Sequence, residues 1–406
     1  MRTISGPKLE LSERALNNKT LQTTLVHSDY QAPDGFAALP TAIHYASTVV
    51  FDNVEAMRGR HWLNKTGYTY GLHGTPTTFT LEGRLAEIEG GKHCVLTSSG
   101  LSALALVNFA LLKSGDHLLI PDNAYNPNRD LAAWMQRDFG VAVDYYDPMI
   151  GAGIAAHIRA NTRLIWTEAP GSISMEVPDI PAICAVARDH GIPVALDNTW
   201  SAGIAWRAFD HGVDIVMQAL TKYQSGGSDI LMGALITRDD ALNQKLSLTH
   251  MRMGQGVSFD DAYLVLRSLP SLKLRYDAHD ASARKVAAWL KSRPEITRVL
   301  HPAMPDCPGH TTWKRDFQAA GGLFSVIFDP RFSEAQTDRF VDSLKLFKIG
   351  FSWGGAHSLC VPYRMTEIRH AWQEKGILVR FNIGLEDADD LICDILQALG
   401  KIATPG

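Results

Sequence analysis

Cysteine is scarce and scattered in this chain. The five cysteines, Cys94, Cys184, Cys307, Cys360 and Cys393, are odd in number, widely spaced and without any Cys-x-x-Cys pair. That pattern argues against a disulfide framework and against a zinc site, and it points to reduced thiols in a cytoplasmic protein. No block of lysine and arginine stands out, and 39 basic against 43 acidic residues leave a net charge of −4. Nucleic acid is therefore not expected as a partner. No apolar run approaches the length needed to cross a bilayer, so no membrane partner is expected either. The opening Met1-Arg2-Thr3-Ile4-Ser5-Gly6-Pro7-Lys8 lacks the apolar core of a secretory signal, which again makes the cytoplasm the expected location. Internal repeats and low-complexity tracts are missing too. What remains is an ordinary globular composition, 46% hydrophobic and 20% charged over 406 residues. A chain of this length buries a large core and divides into about two or three domains.

Residues 1–73 mix polar and apolar positions without sustained periodicity, turn at Ala32-Pro33-Asp34-Gly35, and read as an arm with little core of its own. Over residues 74–265, strand-like runs at 95–97, 117–121, 141–146, 164–167, 193–196, 215–219 and 230–236 alternate with helical stretches. Such alternation predicts an α/β domain with a mostly parallel sheet covered on both faces. From residue 266 to 406 the pattern becomes that of a smaller α+β domain. It has an amphipathic helix through Ala283, Val286, Trp289 and Leu290, strands at 323–328 and 377–383, and a last helix from Glu386 that buries Leu391, Ile392, Ile395 and Leu399.

The apolar run 213–223 ends on Lys222, and a second run, 192–196, ends on Asp197. Both lie at the carboxyl ends of predicted strands, where open α/β sheets collect ligands. A third run turns through Ser98, Ser99 and Gly100 into an apolar helix, whose free N–H groups and dipole suit a phosphate. Tyr125 and Glu168 follow two further strand ends. Each has a plainer reading: a lysine that snorkels to water, an aspartate that caps a helix, a tyrosine that packs, an ordinary strand-to-helix turn. Together, a lysine to hold pyridoxal phosphate as a Schiff base and an acid to keep its pyridine nitrogen protonated point to that cofactor. Arg380, set in Ile377-Leu378-Val379-Arg380-Phe381, fits either a substrate carboxylate or an edge strand in water. Gly151-Ala152-Gly153-Ile154-Ala155-Ala156 raises a dinucleotide-binding alternative, although it does not directly follow a first strand as that fingerprint requires.

From about Thr24 to Leu396 the chain resembles the Cys/Met-metabolism family of pyridoxal-phosphate enzymes. The resemblance is carried by Tyr70-Gly71-Leu72-His73-Gly74-Thr75-Pro76-Thr77, Pro170-Gly171-Ser172-Ile173-Ser174-Met175-Glu176-Val177, Asp197-Asn198-Thr199-Trp200, Thr221-Lys222-Tyr223, Ser352-Trp353-Gly354-Gly355 and Arg380-Phe381-Asn382-Ile383-Gly384-Leu385-Glu386-Asp387. It implies the fold-type I architecture and a homotetramer in which the arm, with Tyr70, reaches a neighbouring subunit's site. It further implies Lys222 as Schiff-base lysine and proton-transfer group, and Asp197 on the pyridine nitrogen. Tyr125 would stack on the ring and assist proton transfer, and Gly100, Leu101, Thr221 and Tyr70 would hold the phosphate. Arg380, Ser352 and Trp353 would take the substrate carboxylate. The activity implied is carbon–sulfur cleavage of an amino-acid substrate: β-elimination of cystathionine to homocysteine, pyruvate and ammonia. The alternatives are γ-lyase, γ-synthase or methionine γ-lyase chemistry. Ser172 stands where γ-eliminating and γ-replacing relatives commonly carry asparagine, which favours β-elimination. Many relatives have arginine where this chain has Leu72 and serine where it has Ala219.

Overall fold

Seven of the expected strands assemble into one sheet in the computed structural model, which describes residues 20–402 apart from 28, 29, 31, 33, 37, 370 and 371. They are β1 (His93–Thr97), β2 (His117–Pro121), β3 (Ala142–Tyr146), β4 (Thr162–Glu168), β5 (Val194–Asp197), β6 (Ile215–Ala219) and β7 (Gly233–Thr237), in the order β1-β7-β6-β5-β4-β2-β3. Ladders among β3, β2, β4, β5 and β6 are parallel, and β7 pairs antiparallel with both β6 and β1. The carboxyl ends of β1, β4, β5 and β6 therefore share one edge.

Side chains alternate across this sheet with period two. Val95, Leu118, Ile120, Trp166, Ala195, Met217 and Leu235 point into one core, against the helices Gly100–Leu111 and Asn126–Phe139. Cys94, Leu96, Leu119, Ile165, Leu196, Val216 and Ile236 point into another, under Pro76–Glu89, Ile180–Asp189 and Phe259–Ser268. Local sequence sets these helices. Pro76–Glu89 begins at Thr75 in a capping box with Thr78, has Pro76 in its first turn, and stops at Gly90 in a left-handed conformation with φ 74°.

The second sheet is β8 (Ile296–Leu300), β9 (Leu323–Phe328), β10 (Lys348–Ile349), β11 (Leu359–Tyr363) and β12 (Leu378–Asn382), ordered β10-β11-β12-β9-β8. One face packs Phe324, Val326, Val379 and Phe381 against Leu272–Lys291 and Ala388–Leu399. From the other face Leu323, Ile327 and Leu378 join the core of the large sheet. Helix Leu272–Lys291 serves both cores, through Leu272 and Tyr276 at one end and Val286 and Leu290 at the other. The expected boundary after residue 265 falls inside the preceding helix, Phe259–Ser268. β8, β10 and β11 were not foreseen: β10 is two exposed residues, and β11 carries Pro362. The expected arm is described only from residue 20; its first 19 residues lie outside the described ones.

The Gly151 motif follows β3, the edge strand, and folds as 3-10 turns over Pro148–His157, kinked at Gly151 with φ 53° and ψ −129°. No α-helix opens there, so the strand–turn–helix context of a dinucleotide cradle is missing. All five cysteines are free thiols, and among the described residues no cluster of His, Cys, Asp or Glu could hold a metal ion.

Candidate active site

Strand β6 ends at Ala219, and a turn carries the chain through Leu220, Thr221 and Lys222 to Tyr223. Leu220 and Tyr223 are fully buried. The Tyr223 hydroxyl accepts the Gly322 N–H at 2.7 Å, and Arg275 donates to the Tyr223 carbonyl at 2.7 Å. With its neighbours pinned, Lys222 lines a cavity at the sheet edge together with Ser99, Gly100, Leu101, Tyr125 and Asp197. Its amine donates to the Ser352 hydroxyl at 2.8 Å and lies 5.5 Å from the centre of the Trp353 ring. Burial, then the Arg380 cation, depress its pKa to about 8, against a weaker opposing pull from Asp197. Ser352 has φ 117°, a left-handed conformation that costs a non-glycine residue about 1–3 kcal/mol. Gly354 explains the close approach of this loop, since a Cβ there would lie 3.0 Å from the Tyr223 nitrogen.

Asp197 ends β5. Its carboxylate accepts the Thr199 hydroxyl at 2.5 Å and the Thr199 N–H at 3.0 Å. The same hydroxyl oxygen accepts the Ala219 N–H at 2.9 Å, tying the ends of β5 and β6 together. Burial raises the Asp197 pKa, while the two Thr199 bonds and Lys222 favour the ionised form. The capping alternative survives only as this local turn; no regular helix follows Asp197. Thr199 was missed in the sequence, where Asp-x-Thr at a strand end was the available signal.

Ser99 caps helix Gly100–Leu111 by accepting the Ser102 N–H at 3.0 Å. The Gly100 and Leu101 N–H groups belong to the first turn, which has no intrahelical acceptors. A Cβ on Gly100 would meet the Ala219 Cβ at 2.8 Å, so glycine lets the helix start sit directly against β6. Thr221 lines the same cavity, its hydroxyl 3.3 Å from the Met232 carbonyl.

Tyr125 opens helix Asn126–Phe139, and its N–H donates to the Glu168 carboxyl at 2.7 Å. Burial, then the nearby Asp197 charge, raise its phenol pKa, which keeps the proton on at neutral pH. Arg380 is not at an edge. It sits in β12, the central strand of its sheet, only 8% exposed, and donates to the Ser172 carbonyl at 3.3 Å with its guanidinium 5.2 Å from the Tyr363 ring centre. Buried, and with no carboxylate hydrogen-bonded to it among the described residues, this guanidinium suits an incoming one. Tyr70 stands apart from these residues. It is 46% exposed, bridges to Thr48, and lines a different cavity with Trp62, His73 and His250.

The donor set fits pyridoxal phosphate: a lysine inclined to lose its proton, an aspartate held toward ionisation at the next strand end, and free N–H groups at a helix start. Comparison with known proteins agrees. A putative cystathionine beta-lyase of Rhizobium johnstonii is 41% identical over 384 residues, 94% of this chain and 96% of the relative. Cystathionine beta-lyase MetC of Escherichia coli is 38% identical over 394 residues, 95% and 99% of the two chains. The crystal structure of metB from Corynebacterium glutamicum superposes with a TM-score of 0.86 at 30% identity, covering 95% of this chain and 99% of that one. The architecture is that of the fold-type I enzymes. Residues 22–400 match the sequence profile of one family, and the chain belongs to it: the Cys/Met metabolism PLP-dependent enzymes.

Proposed function

We propose that the protein is a carbon–sulfur lyase that, with one water, splits cystathionine by β-elimination into homocysteine, pyruvate and ammonia. The observation that carries this is the meeting of Lys222, Asp197, Tyr125 and Arg380 around one sheet edge, in a chain 38–41% identical to proteins named cystathionine beta-lyase. Ser172, whose carbonyl receives Arg380, supports β- over γ-elimination because γ-acting relatives commonly carry asparagine at that place.

Bound at this site, pyridoxal phosphate supplies an electron sink for the substrate Cα, strongest when its ring nitrogen is protonated opposite a carboxylate. The protein's own groups do the rest. Arg380 grips the α-carboxylate and thereby orients Cα. The Lys222 amine, with a pKa near 8, exists partly neutral at physiological pH and takes the Cα proton. Ser352 holds that amine in place at 2.8 Å. Asp197, kept toward ionisation by Thr199, would hold the ring nitrogen. The Tyr125 hydroxyl, protonated at neutral pH, is the group that donates a proton to the leaving sulfur. Gly100, Leu101 and Thr221 would take the phosphate.

Tyr70 completes that shell in a neighbouring copy, within a cytoplasmic homotetramer. What supports this is apolar exposure on the arm, with Phe36 68%, Tyr45 64% and Val50 87% exposed, and at the cavity lip, with Leu231 70% exposed. Product analysis on purified protein tests the reaction: cystathionine should yield pyruvate and homocysteine, whereas 2-oxobutyrate with cysteine would replace this assignment by γ-elimination.

A further inference from the structure

Two acids close the same sheet edge side by side. Glu168 ends β4 and Asp197 ends β5, and they are directly paired across the parallel ladder. Both line the cavity, and Glu168 is only 7% exposed. Neighbouring strands lie about 4.8 Å apart, and two ionised carboxylates about 6 Å apart at an effective dielectric of 20 repel by roughly 3 kcal/mol. Such a pair resolves by keeping one member protonated.

Hydrogen bonding decides which. Asp197 receives the Thr199 hydroxyl at 2.5 Å and the Thr199 amide at 3.0 Å, with the Lys222 cation beside it. Glu168 receives the Tyr125 amide at 2.7 Å and faces the Ser172 hydroxyl. The other charged or titratable groups around Glu168 are Arg380 from β12 and Tyr125 from the helix start. Arg380 is shared with the Tyr125 and Tyr363 rings and the Ser172 carbonyl.

We propose that Glu168 is a positioning residue that works as an uncharged carboxylic acid, holding the Tyr125 amide, and with it the tyrosine ring and helix start, without adding a second negative charge beside Asp197. Burial and the Asp197 charge both hold its proton on well above the ordinary carboxyl range. The inference rests on the proposed assignment of Lys222 and Asp197 to the cofactor, and not on the identity of the substrate.

The test compares Glu168→Gln and Glu168→Ala in the cofactor-loaded enzyme, reading the pH midpoint of the cofactor's visible band alongside turnover. An uncharged Glu168 leaves the midpoint within about 0.3 pH unit of wild type in both variants, because neither removes a charge. Glutamine, which still accepts the Tyr125 amide, keeps at least about a third of the turnover, while alanine lowers kcat by about 10- to 100-fold. A midpoint that falls by about one pH unit or more in both variants shows a lost negative charge and overturns the proposal. Equal loss of turnover in glutamine and alanine overturns it as well. Lys222→Ala separates this from the cofactor assignment, since a visible band that persists there sinks that assignment whatever Glu168 does.

Discussion

Lys222 should cost the cofactor-free fold stability, and Lys222→Met should recover it. The depression of the amine from 10.5 to about 8, at 1.36 kcal/mol per pH unit, sets an upper bound of about 3 kcal/mol on the cost of housing the ammonium in its cavity. The Asp197 attraction is already contained in that shift, and the Ser352 hydrogen bond lost with the amine offsets part of the gain, so a methionine of similar volume should stabilise the cofactor-free chain at neutral pH by about 1–2 kcal/mol. The sign with pH follows from proton counting. Between about 8 and 10.5 the unfolded lysine holds a proton that the folded one has lost, so wild-type stability rises with pH across that window. The advantage of the methionine variant is therefore full below about pH 8 and shrinks toward pH 10.5. Urea unfolding of both proteins, stripped of cofactor and held at equal protomer concentration, measures it. A methionine variant less stable than wild type at pH 7, or a gap that ignores pH, would refute the reasoning. With cofactor present the order should reverse, because only the wild type gains the covalent link.

Thr199→Val removes one charge-assisted hydrogen bond from Asp197, which should raise the carboxyl pKa and move the acid limb of the turnover–pH profile up by about 1–2 pH units, while Thr199→Ser leaves it in place. An unmoved limb in the valine variant would detach Thr199 from Asp197. Arg380→Lys loses bidentate capture of a carboxylate and should raise KM for cystathionine about 10- to 100-fold with a smaller change in kcat, a split that steady-state kinetics reads directly. For Tyr70, co-expressed Tyr70→Phe and Lys222→Ala chains should regain activity above either variant alone, since some mixed sites then carry both intact residues. Demonstrated mixed oligomers without that gain would return Tyr70 to a role within its own chain.

Legibility in the sequence followed the range of the interactions. Lys222 and Asp197 stood out because each ends a continuous apolar run, and a parallel sheet buried on both faces writes such runs locally. Helix Gly100–Leu111 was legible for the same reason, with Ser99 and Gly100 marking its start. Arg380 was ambiguous because its surroundings come from elsewhere. β9 and β11 flank β12, and no pattern within residues 377–383 states that β11 exists when that strand is five residues with Pro362 among them. The pairing of Glu168 with Asp197 likewise depends on cross-strand register, which the two segments do not encode separately. Tyr70 was reached through family resemblance alone; among the described residues it lines a different cavity from Lys222.

The two departures from the family pattern have a common consequence in this structure. Ala219, where many relatives carry serine, faces Gly100 so closely that a Cβ on Gly100 would sit 2.8 Å from its own Cβ, and its N–H is committed to Thr199. Gly100 thus lets the helix start sit against β6, and with no hydroxyl at 219 the orientation of backbone N–H groups is what this end of the sheet offers. Leu72, where many relatives carry arginine, removes a formal charge from the turn that Tyr70 opens, and Gly71 fixes that turn because a Cβ there would strike the Ala46 carbonyl at 1.7 Å. On the proposed reading, phosphate recognition in this protein leans on the first-turn amides and the helix dipole more than on cationic side chains. An oriented dipole of that kind, set in a site walled by protein, is screened by salt less than an exposed guanidinium would be.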